Sequence, residues 1–313
     1  MRIAPPLVTA LAAALVMAAP AAAKAPKRCN GAKALCARSF DRVVLPGAHN
    51  AMSSRSLGWQ IPNQSIAIGA QLRYGIRALL FDTHYGRPNP DGTVSTDDNG
   101  QSTSTGKRGL YLCHEVCEIG ASPLVPVLRQ IAGFLNRHPD NVLAVDEEDY
   151  ITPRDFVRAM RRSGLAKHVY TGSTKRWPTL ARMIERRQQV VVLAEHHAGA
   201  AGWYHLAYDG ILQETAYRWD KPEQITRQAN WKASCAPNRG GTKGSLFLMN
   251  HWSPPVPPQQ PDLAASARVN KASVIVGRAR ACKRVRARLP TIVAVDQVKA
   301  GGLLKAVREL NGL

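Results

Sequence analysis

The sequence predicts an α/β fold, an irregular TIM barrel of the (β/α)8 type in a single domain. Two observations carry that expectation. Eight short apolar runs alternate with stretches of helical periodicity along the 313 residues. Histidines and carboxylates follow the ends of several runs, where a barrel of parallel strands gathers its polar groups.

The strand candidates are Arg42–Leu45, Ala78–Phe81, Gly109–Leu112, Val142–Val145, Val190–Leu193, Gly210–Leu212, Leu246–Met249 and Ile292–Val295. Most are apolar at every position, as strands buried on both faces should be. Ser65–Tyr74 repeats apolar residues at Ile66, Ile68 and Leu72, and Leu124–Arg137 does so at Val125, Leu128, Ile131, Ala132 and Leu135. Thr152 and Pro153 open a helix over Pro153–Ser163 as N-cap and first residue. Thr179–Arg187, Asp262–Val276 and Gly302–Leu310 complete the helical set. Two stretches stand apart. Pro88–Lys107 is rich in Gly, Ser, Thr, Asn and Asp and reads as a loop, and Ala198–Gly244 is aromatic and polar without a period. Pro254–Pro261 reads as a stiff connection.

Residues 1–23 read as an export signal. Arg2 precedes an apolar core from Leu7 to Ala19, and Ala21-Ala22-Ala23 offers a cleavage site before Lys24. The core is too short to span a bilayer. The barrel domain is then 24–313 of a secreted, monomeric protein. Export makes disulfides the expectation for the six cysteines. The near pairs Cys29/Cys36 and Cys113/Cys117 would leave Cys235 with Cys282, one of the fifteen pairings that six cysteines allow. Zinc at Cys113-His114-x-x-Cys117 is the rival reading, without a second ligand pair at finger spacing.

The formal charge of +20 favours anionic partners, among them acidic lipid surfaces. Arg158-x-x-Arg161-Arg162 and the run from Arg278 to Arg288 read as solvated helix faces or as a membrane-adsorbing face. No finger spacing, ribonucleoprotein pattern or helix-turn-helix signature supports nucleic acid as the partner.

The chemistry concentrates at the run ends. His49 and Asn50 follow the first, Asp82 and His84 the second, and His114 and Glu115 the third. Asp146-Glu147-Glu148-Asp149 follows the fourth and Asp296 the last. Two histidines at two strand ends suit acid and base work on a phosphodiester. Each residue also has a plainer reading. A lone histidine is often structural, Asp146 fits a solvated turn, and Asp296 fits either an N-cap or a histidine partner. His84, His196, His197 and His251 read as structural or rim residues, and Arg77 as structural.

Leu-Pro-Gly-Ala-His49-Asn50-Ala-Met, Gly75-x-Arg77-x5-Asp82, Leu112-Cys113-His114 and Glu147-Glu148-Asp149-Tyr150 together resemble the phosphatidylinositol-specific phospholipase C X-domain family, in its secreted phosphodiesterase branch. Ser234-Cys235-Ala236-Pro237-Asn238-Arg239-Gly240 and Leu246-Phe247-Leu248-Met249-Asn250-His251-Trp252 extend the resemblance over nearly all of Cys29 to Leu313. The resemblance implies the barrel, with His49 as general base on a polyol hydroxyl and His114 as general acid on the leaving oxygen. It implies calcium at Asn50, Asp82 and Glu148, oxygen donors of the kind that ion takes. Leu80 stands where a further carboxylate would, which implies a weak site or help from Glu147 or Asp149. The implied substrate is an anionic phospholipid or related polyol phosphodiester, met at a membrane surface. A glycerophosphodiesterase would carry Arg in place of Asn50 and Glu in place of Leu80. A non-catalytic lipid-binding barrel would have no need of both histidines.

Overall fold

The computed structural model describes Met1 and residues 25–256 and 261–313. The expected export signal therefore lies, beyond Met1, outside the described residues, as do 257–260 of the proline-rich connection. Eleven strands form one sheet: β1 Leu45–Ala48, β2 Ala78–Pro88, β3 Val94–Thr96, β4 Gly109–His114, β5 Val116–Pro123, β6 Leu143–Asp149, β7 Val190–Ala194, β8 His205–Leu206, β9 Leu212–Glu214, β10 Leu246–Asn250 and β11 Ile292–Val295. Eight of them are parallel, in the order β8-β7-β6-β2-β1-β11-β10-β9. Around the barrel each is thus beside its neighbour in the chain, as right-handed strand–helix–strand connections produce. The seam lies between the two short strands β8 and β9, where the Leu212 amide donates to the Ala207 carbonyl at 2.7 Å.

The eight expected runs and the eight barrel strands are not the same set. Gly109–Leu112 belongs to β4, which pairs antiparallel with β2 and β5 outside the barrel. Together with β3 and the long upper half of β2 it makes an antiparallel arm. The missing barrel strand is β8, two residues within Ala198–Gly244. The first strand is also displaced: it runs through Pro46 and Gly47. Proline is tolerated there because the β1–β2 register begins only at Gly47↔Ala78, so the absent N–H costs no ladder bond. A Cβ on Gly47 would meet Ile292 Cγ2 at 3.0 Å and Val293 O at 3.1 Å, so glycine lets β1 and β11 pack closely.

The helices cover the outer face. Leu124–Arg137 buries Leu124, Val127, Leu128, Ile131, Ala132, Phe134 and Leu135, the stripe its periodicity predicts. Each large side chain there contributes about 1.5–3 kcal/mol. Thr152 caps Pro153–Ser163 by accepting from the Asp155 amide. Asp262–Val276 is two helices, Leu263–Val269 and Ala272–Arg286, the first capped by Asp262. Arg77 is structural, its guanidinium donating to Asn141 Oδ1 at 2.8 Å and to the Leu72 and Ile76 carbonyls. Its pKa falls to about 10 through burial.

Three disulfides join Cys29 to Cys36, Cys113 to Cys117 and Cys235 to Cys282. Both sulfurs of the proposed zinc motif are consumed, which removes the zinc reading. The bridges fit an extracellular protein. Among the described residues no helix is long and apolar enough to cross a membrane.

Candidate active site

Side-chain alternation decides what faces the barrel interior. Leu45, Ala78, Leu80, Ala144, Val191, Leu193, Leu246, Leu248, Ile292 and Ala294 share one buried cluster. Leu79, Phe81, Val145, Val192, Phe247 and Val295 belong to the other, under the helices. Continuing the inward series toward the C-terminal ends gives His49, Asp82, Glu148, Glu195, Asn250 and Asp296. They line one cavity of about 970 Å³.

His49 follows β1, and its Nδ1 donates to Asp296 Oδ1 at 2.8 Å. That bond leaves Nε2 with the lone pair a base needs. Asn63 donates to the same Asp296 oxygen at 3.1 Å, and Gln64 holds the His49 carbonyl at 2.7 Å. The imidazole stacks parallel on Trp252, with centroids 3.7 Å apart. Of the two roles open to Asp296, it takes that of histidine partner.

His114 comes from the arm, not from a barrel strand, at a register shift between Cys113 and His114. It nonetheless enters the same cavity. Its Nδ1 meets Asp82 Oδ2 at 3.1 Å, and Asn50 Nδ2 lies 3.3 Å from its Nε2. Burial works against its charged form, but the hydrogen bond and charge of Asp82, with Glu115 and Asp296 behind, outweigh it and raise the pKa above the ordinary histidine value. Asn50 reaches the ring from a left-handed backbone, φ 42°, a conformation asparagine tolerates.

Three carboxylates stand side by side. Asp82 pairs directly with Glu148 across β2 and β6. Glu147 pairs with Ala194, which sets Glu195 beside Glu148. Asn50, Asp82 and Glu148 line the same cavity and offer an amide oxygen and two carboxylates, a donor set that fits a cation taking oxygen ligands. Glu147 cannot assist: it is buried on the other face, accepting from Thr83 at 2.7 Å and Tyr204 at 2.5 Å. Asp149 is likewise occupied, by the His196 and His197 amides at 2.7 and 2.8 Å. Asp146 is not a solvated turn but a fully buried interior residue, paired with Leu80. Burial, then the nearby Glu195, raises its pKa well above the carboxylate range.

Sequence reasoning missed much of the opposite wall. Arg239 joins Glu195 and Glu214, its Nε 2.7 Å from Glu214 Oε1. Asn238 and Asn250 also donate to Glu214, at 2.7 and 2.9 Å. Glu195 is pushed up to about 7 by burial, against the pull of Arg239. Arg239 and Trp252 lay inside motifs already singled out, without a role. Glu195 stands just past the Val190–Leu193 run, a position of the same kind as those of Asp82 and Asp296. Glu148, Glu195 and His196 bring ligand atoms within 4.8 Å of one another, a group that could hold a metal ion. His251 is structural: buried against Arg278 and the Val269 carbonyl, its pKa falls to about 3 through burial.

The family model described as PI-PLC X 1 matches residues 98–311, a stretch that contains His114, Glu148 and Asp296 and begins after His49, Asn50 and Asp82. A PI-PLC X domain-containing protein 1 of Arthroderma benhamiae is 26% identical over 91% of this chain and 90% of its own length. A protein of the same organism named "Uncharacterized secreted protein" is 30% identical over 71% of this chain. A PI-PLC X domain-containing protein of Arabidopsis thaliana is 23% identical over 80%. The chain spans about half the length of these last two, 47% and 55%. Among solved structures, the phosphatidylinositol-specific phospholipase C of Listeria monocytogenes superposes with a TM-score of 0.54 at 16% identity, over 88% of this chain and 94% of that one. A Staphylococcus aureus phosphatidylinositol-specific phospholipase C gives 0.56 at 12% identity, over 88% and 94%. These structures share the fold. Family and fold together support a phosphodiesterase-type function. The chain belongs to the PI-PLC X domain family.

Proposed function

We propose that this protein is a secreted phosphodiesterase that cleaves phosphatidylinositol, or a related polyol phosphodiester, by two-histidine acid–base catalysis. One observation carries the reading: two imidazoles face one cavity, each tied through Nδ1 to a carboxylate, His49 to Asp296 and His114 to Asp82. His49 Nε2 takes the proton of a polyol hydroxyl next to the phosphodiester. The freed oxygen attacks phosphorus, and the bond to the lipid oxygen breaks. His114 gives its Nε2 proton to that oxygen, so diacylglycerol leaves and a cyclic phosphodiester remains. Water then opens the ring with the two roles exchanged. Asp296 and Asp82 hold the rings in orientation and favour the imidazolium that each step forms or uses.

Asn50, Asp82 and Glu148 would hold calcium, which would supply positive charge to the non-bridging phosphate oxygens. With Leu80 in place of a further carboxylate, the site should fill at extracellular calcium levels. The charge of +20 supports contact with an anionic membrane. Residues 1–23 would direct export and be removed near Lys24.

Phosphorus NMR of the purified protein with phosphatidylinositol vesicles tests the reading. A cyclic phosphodiester resonance should grow in, fall with a strong chelator and return with calcium, and Asp82→Asn should raise the calcium required. No turnover of phosphatidylinositol or of any soluble polyol phosphodiester would overturn the assignment. Full activity in chelator would overturn the calcium part alone.

A further inference from the structure

Asp146 presents a problem that the proposed reaction does not solve. It is 2% exposed, and neither of its carboxylate oxygens has a hydrogen-bond partner among the described residues. Leu80 and Leu193 are its neighbours on the adjoining strands, so the barrel wall offers it no donor. A buried carboxylate in such surroundings is costly unless a cation or a donor lies close by.

The charges around it are unbalanced. Asp146, Glu148, Glu195 and Glu214 line one cavity with Arg239. That guanidinium is committed to Glu195 and Glu214. Tyr208 adds a hydroxyl to Glu214 at 3.1 Å, and Tyr150 gives Glu148 one at 2.5 Å. None of these contacts reaches Asp146, whose two oxygens remain without a partner among the described residues.

We propose that Glu148, Glu195 and His196, with Asp146 below them, form a site for a divalent ion of the manganese or zinc class, one strand along from the Asn50–Asp82 position. The ligand atoms of the three upper residues lie within 4.8 Å of one another, close enough to share one ion. Asp146 precedes Glu148 by two residues on β6, so both carboxylates face the same interior. His196 would ligate through Nε2. Its Nδ1 lies 3.3 Å from the Asp149 carbonyl, which fixes the proton there and leaves the Nε2 lone pair for a metal. The Asp149 carboxylate holds the backbone of His196 and His197, so the turn carrying the ring is braced from below. The side chain of His196 is 41% exposed, which gives an ion a way in. An imidazole among carboxylates favours manganese or zinc over calcium, which prefers oxygen alone. Glu195 would be shared between Arg239 and the ion. Glu148 would be a ligand common to this site and to the calcium position at Asn50 and Asp82, while the site itself does not depend on the proposed turnover.

Manganese(II) is the probe, titrated into the purified full chain and followed by the electron paramagnetic resonance of the free ion. One equivalent should bind and remain bound in excess calcium. His196→Ala removes an exposed ligand without disturbing the core, and it should weaken binding at least about tenfold, the lower end of what even an outer partner contributes. Asp146→Asn should weaken it as well, while Asp82→Asn should leave it unchanged. Absence of manganese binding, or binding that His196→Ala does not alter, would overturn the proposal. So would an ion that calcium displaces and Asp82→Asn abolishes, since that ion would sit at the Asn50 side. None of these outcomes depends on phosphodiester turnover, so loss of the catalytic reading would leave this test intact.

Discussion

His49 leaves the barrel wall itself, one residue beyond β1, with its amide bonded to Val295 of β11 at 3.0 Å. His114 stands at the tip of β4, on an antiparallel arm outside the barrel, behind a bridge between Cys113 and Cys117. Both rings are tethered through Nδ1 to a carboxylate on a barrel strand end. The two settings therefore differ in support and agree in electrostatics. One ring is positioned by the parallel ladder; the other is carried into place and caught by Asp82. Changes to the arm should disturb the acid and spare the base.

The largest effect should come from deleting either ring. His49→Ala and His114→Ala should each lower turnover at least about a hundredfold, or ~2.7 kcal/mol of barrier. Thermal unfolding should barely change, since both rings border the cavity mouth. If the comparison holds, a leaving group that needs no protonation should restore much of the His114→Ala rate and little of the His49→Ala rate. Equal rescue of both would break the assignment of acid and base.

The two disulfide supports can then be cut. Replacing Cys235 and Cys282 by serine opens a loop of 47-residue separation and should cost about 4 kcal/mol of stability on the chain-entropy relation. Replacing Cys113 and Cys117 opens a separation of only 4 and should cost about 2 kcal/mol. The second change should nevertheless reduce activity more at temperatures where both variants are folded, because it frees the short segment between them that carries His114. Denaturant melts alongside initial rates would show the crossing. Activity falling strictly with stability would mean that the arm needs no bridge to place its histidine.

Trp252→Leu addresses the base alone. It removes the ring stacked on His49, a contact worth about 0.5–1.5 kcal/mol, so turnover should fall roughly two- to tenfold. The pH dependence assigned to His114 should stay where it was.

The same contrast explains what could be read from the residues. Leu124–Arg137 was legible through its apolar periodicity, and Pro153–Ser163 through the Thr152 cap and the glycine at 164 that ends it. Ile292–Val295 was legible because it is apolar at every position, as burial on both faces requires. Gly109–Leu112 was assigned to the barrel because a short apolar run carries no record of whether its partner is parallel. His205–Leu206 is too short to leave a pattern at all; its place comes from β7 and from closure of the seam. In the site, His49, His114 and Asp296 were visible because each follows an apolar run. Arg239, Asn63 and Trp252 sit on irregular segments, and only the folded chain brings them to the cavity. Asp146 reads as a solvated residue in the sequence because four consecutive acids suggest solvent, whereas alternation on β6 turns two of them inward and two outward.

The smallest effect is also the most specific, and it concerns Asp82. Burial disfavours the His114 imidazolium, and the bond and charge of Asp82 reverse that and raise the pKa above ~6.5. As general acid, His114 must carry its proton, so kcat/KM should decline on the alkaline side as that proton is lost. Asp82→Asn, assayed at saturating calcium, should move this limb to lower pH, because burial then acts without the opposing charge. The acidic limb should stay. Stability follows the same sign. A pKa raised on folding stabilises fully below the unfolded histidine value, and the gain is lost as pH rises through the folded value. The stability gap between parent and Asp82→Asn should therefore be widest at mildly acidic pH and narrow toward alkaline pH. An alkaline limb that ignores the substitution would show that the barrel carboxylate does not reach the arm's histidine, and that the arm alone sets its chemistry.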